Sequence, residues 1–309
     1  MAGTLISWKQ KTLLLKAEVT AGTDSVPTAA LNAVRASDVG ISLEGEETTN
    51  SNDVAYFEND EVSWSNKTFK ITGSILMYGS GTAGTAPAYS PLIIGCGYAE
   101  TIVPATSVTY TPVSNSTETV TIYLYIGTVL FKATYSKGKA SYSFGIGEFS
   151  KMDFEFTGVY LEPSDVALPT PVYTTGTTVI GSVANSELSV HGTLVDGQTL
   201  TFDTGVVNAP FESTETYLIS NDDRKASANI TLNTNPMASF NPYAINTANT
   251  KDVTYWETGT VAGNIIRLSM PKSQLGLPQV TEIKSRAGFD IPLIPFSDTG
   301  DDEHALIFT

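Results

Sequence analysis

Apolar and polar residues alternate with a period of two along most of this chain, and helical periodicity is scarce. Phe69, Ile71, Gly73, Ile75 and Met77 share one face, with Lys70, Thr72 and Ser74 on the other. Val120, Ile122, Leu124 and Ile126 form a second such face, and Val129, Phe131, Ala133 and Tyr135 follow across Gly127-Thr128. That break predicts a hairpin turn. Tyr142, Phe144 and Ile146 come next, then Met152, Phe154, Phe156, Gly158 and Tyr160. Threonine, β-branched residues and aromatics dominate these runs, as a pleated, half-buried surface favours. The pattern predicts antiparallel sheets with one wet face.

Two short helices interrupt the strands. Ser90 is placed to cap the first, with Pro91 at its first helical position and Leu92, Ile93 and Ile94 following. Asn241-Pro242 repeats that start before Tyr243-Ala244-Ile245. Residues 80–87 read as a mobile loop, and residues 161–178, with Pro163, Pro169 and Pro171, read as a linker.

An internal repeat emerges when segments are compared in order. Ile71-Gly73-Ile75-Met77 matches Ala226-Ala228-Ile230-Leu232 at an offset of 155, and Pro91 matches Pro242 at 151. Val108-Thr109-Tyr110 matches Val253-Thr254-Tyr255 at 145. Lys132 aligns with Arg267, and Phe154-Glu155-Phe156 with Phe289-Asp290-Ile291, both at 135. The order is kept and the offset only falls, as two copies of one fold with shorter loops in the second would give. The expected organisation is one unit over 1–165, a Pro/Thr-rich linker over 166–182 and a second unit over 183–309.

Composition removes several function classes. The 309 residues carry 17 basic and 32 acidic side chains, a net charge of −15 shared between both halves. That balance is wrong for gripping nucleic acid through phosphate contacts. With 41% hydrophobic residues the chain is too apolar for a disordered acidic tail. No apolar run reaches the roughly 20 residues of a membrane-spanning helix, and no secretory signal is legible, so synthesis in a cytoplasm is the expectation. The single cysteine, Cys96, excludes an internal disulfide and reads as a small buried residue.

Catalytic and metal motifs are missing. The two histidines, His191 and His304, stand in no ligand spacing, and no nucleophile elbow or phosphate loop occurs. The acidic run 298–303 lacks the full spacing of a calcium loop and reads as a solvated turn. Glu44, Glu46 and Glu47 alternate across a strand and read as a wet strand end rather than a glycosidase pair. No enzyme activity, metal or cofactor is expected.

Several segments together resemble the tail tube (major tail) proteins of long-tailed bacteriophages with non-contractile tails. They are Lys11-Thr12-Leu13-Leu14-Leu15-Lys16, Ala21-Gly22-Thr23-Asp24 and Val26-Pro27-Thr28, followed by loop 79–87 with its glycines, Pro91-Leu92 and Cys96-Gly97. Val108-Thr109-Tyr110-Thr111-Pro112, His191-Gly192 and Ala262-Gly263-Asn264-Ile265 extend the likeness along nearly the whole chain. The resemblance implies a mainly β protein of two tandem β-sandwich or half-barrel domains, each with one flanking helix. It implies a structural virion subunit, assembled in the host cytoplasm, that stacks as rings around a channel for double-stranded DNA. Two copies per chain would close a pseudo-hexameric ring with three chains. Tape-measure, terminator and distal tail proteins would be its further partners.

On that reading the acid excess lines the channel and keeps phosphate from sticking. Asp153, Glu155 and Asp290 point away from their strands' apolar faces, either into the channel or to solvent on the outer wall; the channel is the expectation. Lys132 and Arg267, matched across the repeats, are candidates for inter-subunit contact. So are Leu13, Leu14 and Leu15, in an N-terminal stretch to about Asp38 that reads as a bridge between subunits, as does loop 79–87. A competing expectation is a glycan-binding or adhesion β protein, with Trp64 and Trp256 as stacking platforms.

Overall fold

The structure is a computed structural model that describes residues 6–174, 176–234 and 236–309. It is mainly β, in antiparallel sheets. β1 (Lys11–Ala17), β2 (Ala33–Val34), β3 (Ser37–Asn50) and β4 (Glu61–Leu76) precede α1 (Ser90–Gly95). Then come β5 (Tyr98–Val103), β6 (Ser107–Pro112), β7 (Val120–Ile126), β8 (Val129–Gly145) and β9 (Lys151–Asp165). A second series opens with β10 (Ser186–Val190), β11 (Thr193–Val195), β12 (Gly197–Asp203), β13 (Val206–Glu212), β14 (Tyr217–Arg224) and β15 (Ser227–Asn233). It closes with α2 (Pro242–Ala248), β16 (Lys251–Thr258), β17 (Ile266–Leu275), β18 (Gln279–Ile283), β19 (Arg286–Pro295) and β20 (Ala305–Phe308).

The pairings of the first series recur in the second. β1 pairs with β2 and β7, as β10 pairs with β11 and β16. The long β3–β4 hairpin is matched by β12–β15 and, past a break, by β13–β14. β4–β9 corresponds to β15–β19, and β7–β8 to β16–β17. The β8–β9 ladder is shared out among β18–β19, β17–β19 and β17–β20. Four continuous strands of the first repeat are thus each cut in two in the second. Among the described residues the β5–β6 hairpin is the element without a counterpart; β6 instead pairs with β20 of the second repeat.

Bulges fix the register between the repeats. In the first, Ile122 faces Ala133 but Val120 faces Ser136; in the second, Thr254 faces Met270 but Asp252 faces Ser273. Aligning the two bulges sets β8 against β17 at an offset of 137, so the 135 read from the sequence is two residues out. Ser136 then corresponds to Ser273, Tyr123 to Tyr255, Ile71 to Ala228, and Asp290 to Asp153 rather than to Glu155. Lys132 and Arg267 fall two positions apart. The Val108 and Val253 triplets are unrelated: one lies in β6, the other in β16, the counterpart of β7.

Different side chains hold the two bulges. The buried Glu18 carboxylate accepts from the backbone N–H of Tyr135 (2.9 Å) and Gly22 (2.6 Å) and from the hydroxyls of Thr119 (2.6 Å) and Thr121 (2.8 Å). In the second repeat Ser273 Oγ donates to Thr254 Oγ1 at 2.7 Å, and His191 Nε2 meets the Ser273 carbonyl at 2.8 Å. His191 does not continue a strand. With Gly192 it forms the β10–β11 turn at positive φ.

The apolar faces of both repeats meet in one core that runs from Leu13 and Leu15 through Phe156 and Trp256 to Phe308. Each fully buried large side chain there contributes roughly 1.5–3 kcal/mol. The two units are therefore not beads on a linker. Residues 166–174 run along the first repeat, with Val166 N–H donating to Thr128 (2.9 Å) and Val172 N–H to Ala29 (2.9 Å). Loop 79–87 is likewise tied down: Gly81 N–H donates to the Gly263 carbonyl at 3.0 Å, so it bridges the two repeats of one chain. A Cβ at Gly79 would collide with that carbonyl. At α1 the cap position is Tyr89, without a side-chain bond, and Ser90 Oγ donates to Glu100 instead. At α2, Asn241 caps as expected, accepting from Ala244 N–H at 3.1 Å.

Candidate assembly face

Following the ladders across both repeats gives one strand order, β3–β4–β9–β8–β12–β15–β19–β18. It is a four-strand unit written twice, and the copies join where β12 adds to residues 141–145 of β8, with Phe202 opposite Tyr142. Alternation puts Ile71, Ile75, Phe154, Tyr142, Phe202, Ile230 and Ile291 in the core. The opposite face is polar across the junction: Thr72 and Ser74, Asp153 and Glu155, Lys139 and Ser141, Thr201 and Asp203, Asn229 and Thr231, and Asp290.

Asp153, Glu155 and Asp290 therefore share one continuous face, half-buried. Asp153 and Asp290 occupy the same place in the two repeats. Ser74 Oγ donates to Asp153, and its counterpart Thr231 lies 3.5 Å from Asp290, whose other donor is Asn229. Three lysines stand on the same face, each held by a carboxylate. Lys70 lies 3.1 Å from Glu155 and 3.7 Å from Glu44, Lys139 3.1 Å from Glu155, and Lys151 2.9 Å from Asp153. Burial raises the Glu155 pKa, but the bonds from Lys139 and Lys70 outweigh it and leave the carboxyl below its usual range. No salt bridge is made by Asp203 or Asp290 among the described residues, so the face is mostly hydroxyl and amide with a small negative excess.

The other candidates lie elsewhere. Lys132 sits over the Tyr123 ring and 3.5 Å from Asp24. Burial raises the Asp24 pKa, yet the Tyr123 hydroxyl, the Val26 N–H and Lys132 together depress it. Arg267 sits over the Tyr255 ring and pairs with Glu257 at 2.6 Å. Both cations are thus engaged within their own repeat. Leu13, Leu14 and Leu15 are also satisfied internally, which corrects their reading as an apolar run awaiting another subunit: Leu13 and Leu15 enter the main core, and Leu14 packs on the far face with Tyr123 and Leu130. Trp64 is 56% exposed on β4 whereas Trp256 is 1% exposed in the core, so the two are neither equivalent nor paired platforms.

The acidic turn has a partner that no local sequence pattern announces. Arg224, at the end of β14, bridges Asp301 (2.7 Å) and Glu303. This holds segment 296–304 against the second repeat's arm, and only strand pairing brings these residues together. Next to it His304 is buried, its Nε2 2.7 Å from the Tyr98 hydroxyl; burial, with Arg224 nearby, lowers its pKa to about 3. It is a neutral packing residue, and Cys96, also buried with its thiol pKa pushed up, is another. No helix among the described residues is long and apolar enough to cross a membrane. Compared with known proteins, the chain matches no family model and no curated sequence.

Proposed function

We propose that this protein is a structural, non-enzymatic subunit of a bacteriophage tail tube. Three chains close each ring, six repeats around, and rings stack into a tube that conducts double-stranded DNA into a host. One observation carries the reading: the same four-strand unit occurs twice in one sheet, joined edge to edge, with the outer edge of each unit left open among the described residues. A unit that joins its own copy in this way extends by rotation, forms a ring where that rotation closes, and by closing removes its exposed edges. Eight strands per chain make a 24-stranded cylinder, wider than the 16–18-stranded barrels that already enclose an aqueous channel. The polar face with Asp153 and Asp290 lines the bore. Its lysines are neutralised by carboxylates, so it offers phosphate no unpaired cation to bind, and DNA slides past.

The experiment is the paired variant Asp153→Lys, Asp290→Lys in an infectious particle. Tubes form normally and genome ejection slows, because two equivalent sites per chain now attract phosphate. Unchanged ejection kinetics contradict the channel role. A purified chain that never forms rings or tubes contradicts the assembly itself.

A further inference from the structure

Beyond the shared core, the β6–β20 pairing and loop 79–87, two contacts between the repeats of one chain bear on the edges of the long sheet. β12 extends the edge of β8 over five residue pairs, and the β13–β14 arm folds back over the first repeat. In that arm Tyr217 donates its hydroxyl to the Lys67 carbonyl at 3.0 Å, while Val206 and Ile219 are buried. The Thr204 N–H continues the junction to the Ala140 carbonyl at 3.1 Å.

The counterpart strands at the two ends of the sheet lack these neighbours. β3 pairs with β4 alone and β18 with β19 alone among the described residues. Equivalent positions then differ in exposure in a consistent direction. Thr204 and Ile219 are 0% exposed, whereas their counterparts Leu43 and Val62 are 55% and 42% exposed. Tyr142 is 1% exposed and its counterpart Val280 is 70% exposed. Both arms are two-stranded and bulged, so local structure does not explain the difference. A missing neighbour does.

We infer that a second copy of this chain supplies it: β3 of one copy adds antiparallel to β18 of the next, with Ile41 opposite Val280, Gly40 opposite Thr281 and Ser42 opposite Gln279. The β3–β4 arm then lies over the neighbour's second repeat and covers Leu43 and Val62. The register is that of the internal junction, carried over by repeat equivalence, and the five residues of β18 match its five pairs. The inference rests on the ring reading above and names the strands that close it.

The test is disulfide trapping in the full chain, whose own Cys96 is buried. Ile41→Cys/Val280→Cys gives covalent dimers and closed trimers on oxidation. The off-register pair Leu43→Cys/Ile283→Cys, about five residues out of step and so roughly 17 Å apart along the strand, gives only monomer. A second variant, Leu43→Glu/Val62→Glu, alters side chains exposed in the isolated chain. It leaves Tm unchanged and weakens association at least a hundredfold. If the unmodified chain forms rings by electron microscopy but the in-register pair traps no better than the control, the edge assignment fails while the ring stands. Rings from the double-Glu variant at unmodified concentrations overturn the arm contact. A wild-type chain that stays monomeric at every concentration overturns both the edge and the ring.

Discussion

The first repeat builds its long hairpin and closing strands as continuous ladders; the second builds the same ladders in pieces, β12 with β13, β14 with β15, β17 with β18 and β19 with β20. Yet the second repeat's arm is the better buried of the two, because it lies on the first repeat, while the first repeat's arm stands free. Strand continuity and burial are therefore decoupled here. What decides exposure is whether another repeat of the chain packs against the arm.

The sharpest way to break this comparison is to truncate the same position in both arms. Ile219→Ala costs about 3–4 kcal/mol in the folded chain, since it empties a fully buried site. Val62→Ala, at the equivalent place, stays within about 0.5 kcal/mol of wild type. Chemical denaturation of the monomeric chain checks both; equal losses would mean the two arms have the same surroundings.

Somewhat smaller is the contrast between the supports of the two bulges. Glu18→Ala strands two backbone N–H groups and two threonine hydroxyls and costs about 3 kcal/mol. His191→Ala removes one bond on a turn and costs about 1 kcal/mol. Hydrogen exchange resolves which repeat loosens in each variant.

Acid should act on the second repeat through His304. Its folded pKa, about 3, lies below the ordinary value of 6.5, so the unfolded chain takes up a proton that the folded one refuses. The stability this residue protects is complete above pH 6.5 and is lost as pH falls toward 3, at about 1.4 kcal/mol per pH unit. His304→Gln flattens that slope in the near-neutral part of the window, read by thermal melts at pH 7, 6 and 5. Smallest of all is Thr231→Val beside Asp290, about 0.5 kcal/mol, because Asn229 still donates to the carboxylate.

Much of this architecture was legible in the alternation of residues. The hairpin at Gly127-Thr128 and the paired faces of β4, β7 and β9 follow from it, the Asn241 cap from the Asn-Pro start signal, and the repeat from matches that keep their order. The register of the duplication was not legible, for a physical reason. A two-residue slip returns every side chain to its own face, so alternation cannot separate an offset of 135 from one of 137. Only the bulges can, and their defining residues look like ordinary strand. The run Leu13-Leu14-Leu15 misled because β1 is covered on both faces. An apolar run of that kind reads the same whether its cover comes from its own chain or from another. On the candidate face, alternation placed Asp153, Glu155 and Asp290 away from the core. The lysines that neutralise Glu155 come from separate strands, and no local pattern announces them.

Electron microscopy of the purified chain at rising concentration tests the central claim most directly. The account predicts rings of three chains with near-sixfold symmetry and an open bore, the Asp153 and Asp290 faces turned inward. Particles without a bore, or rings whose inner wall is the opposite, apolar-packed side of the sheet, would contradict it.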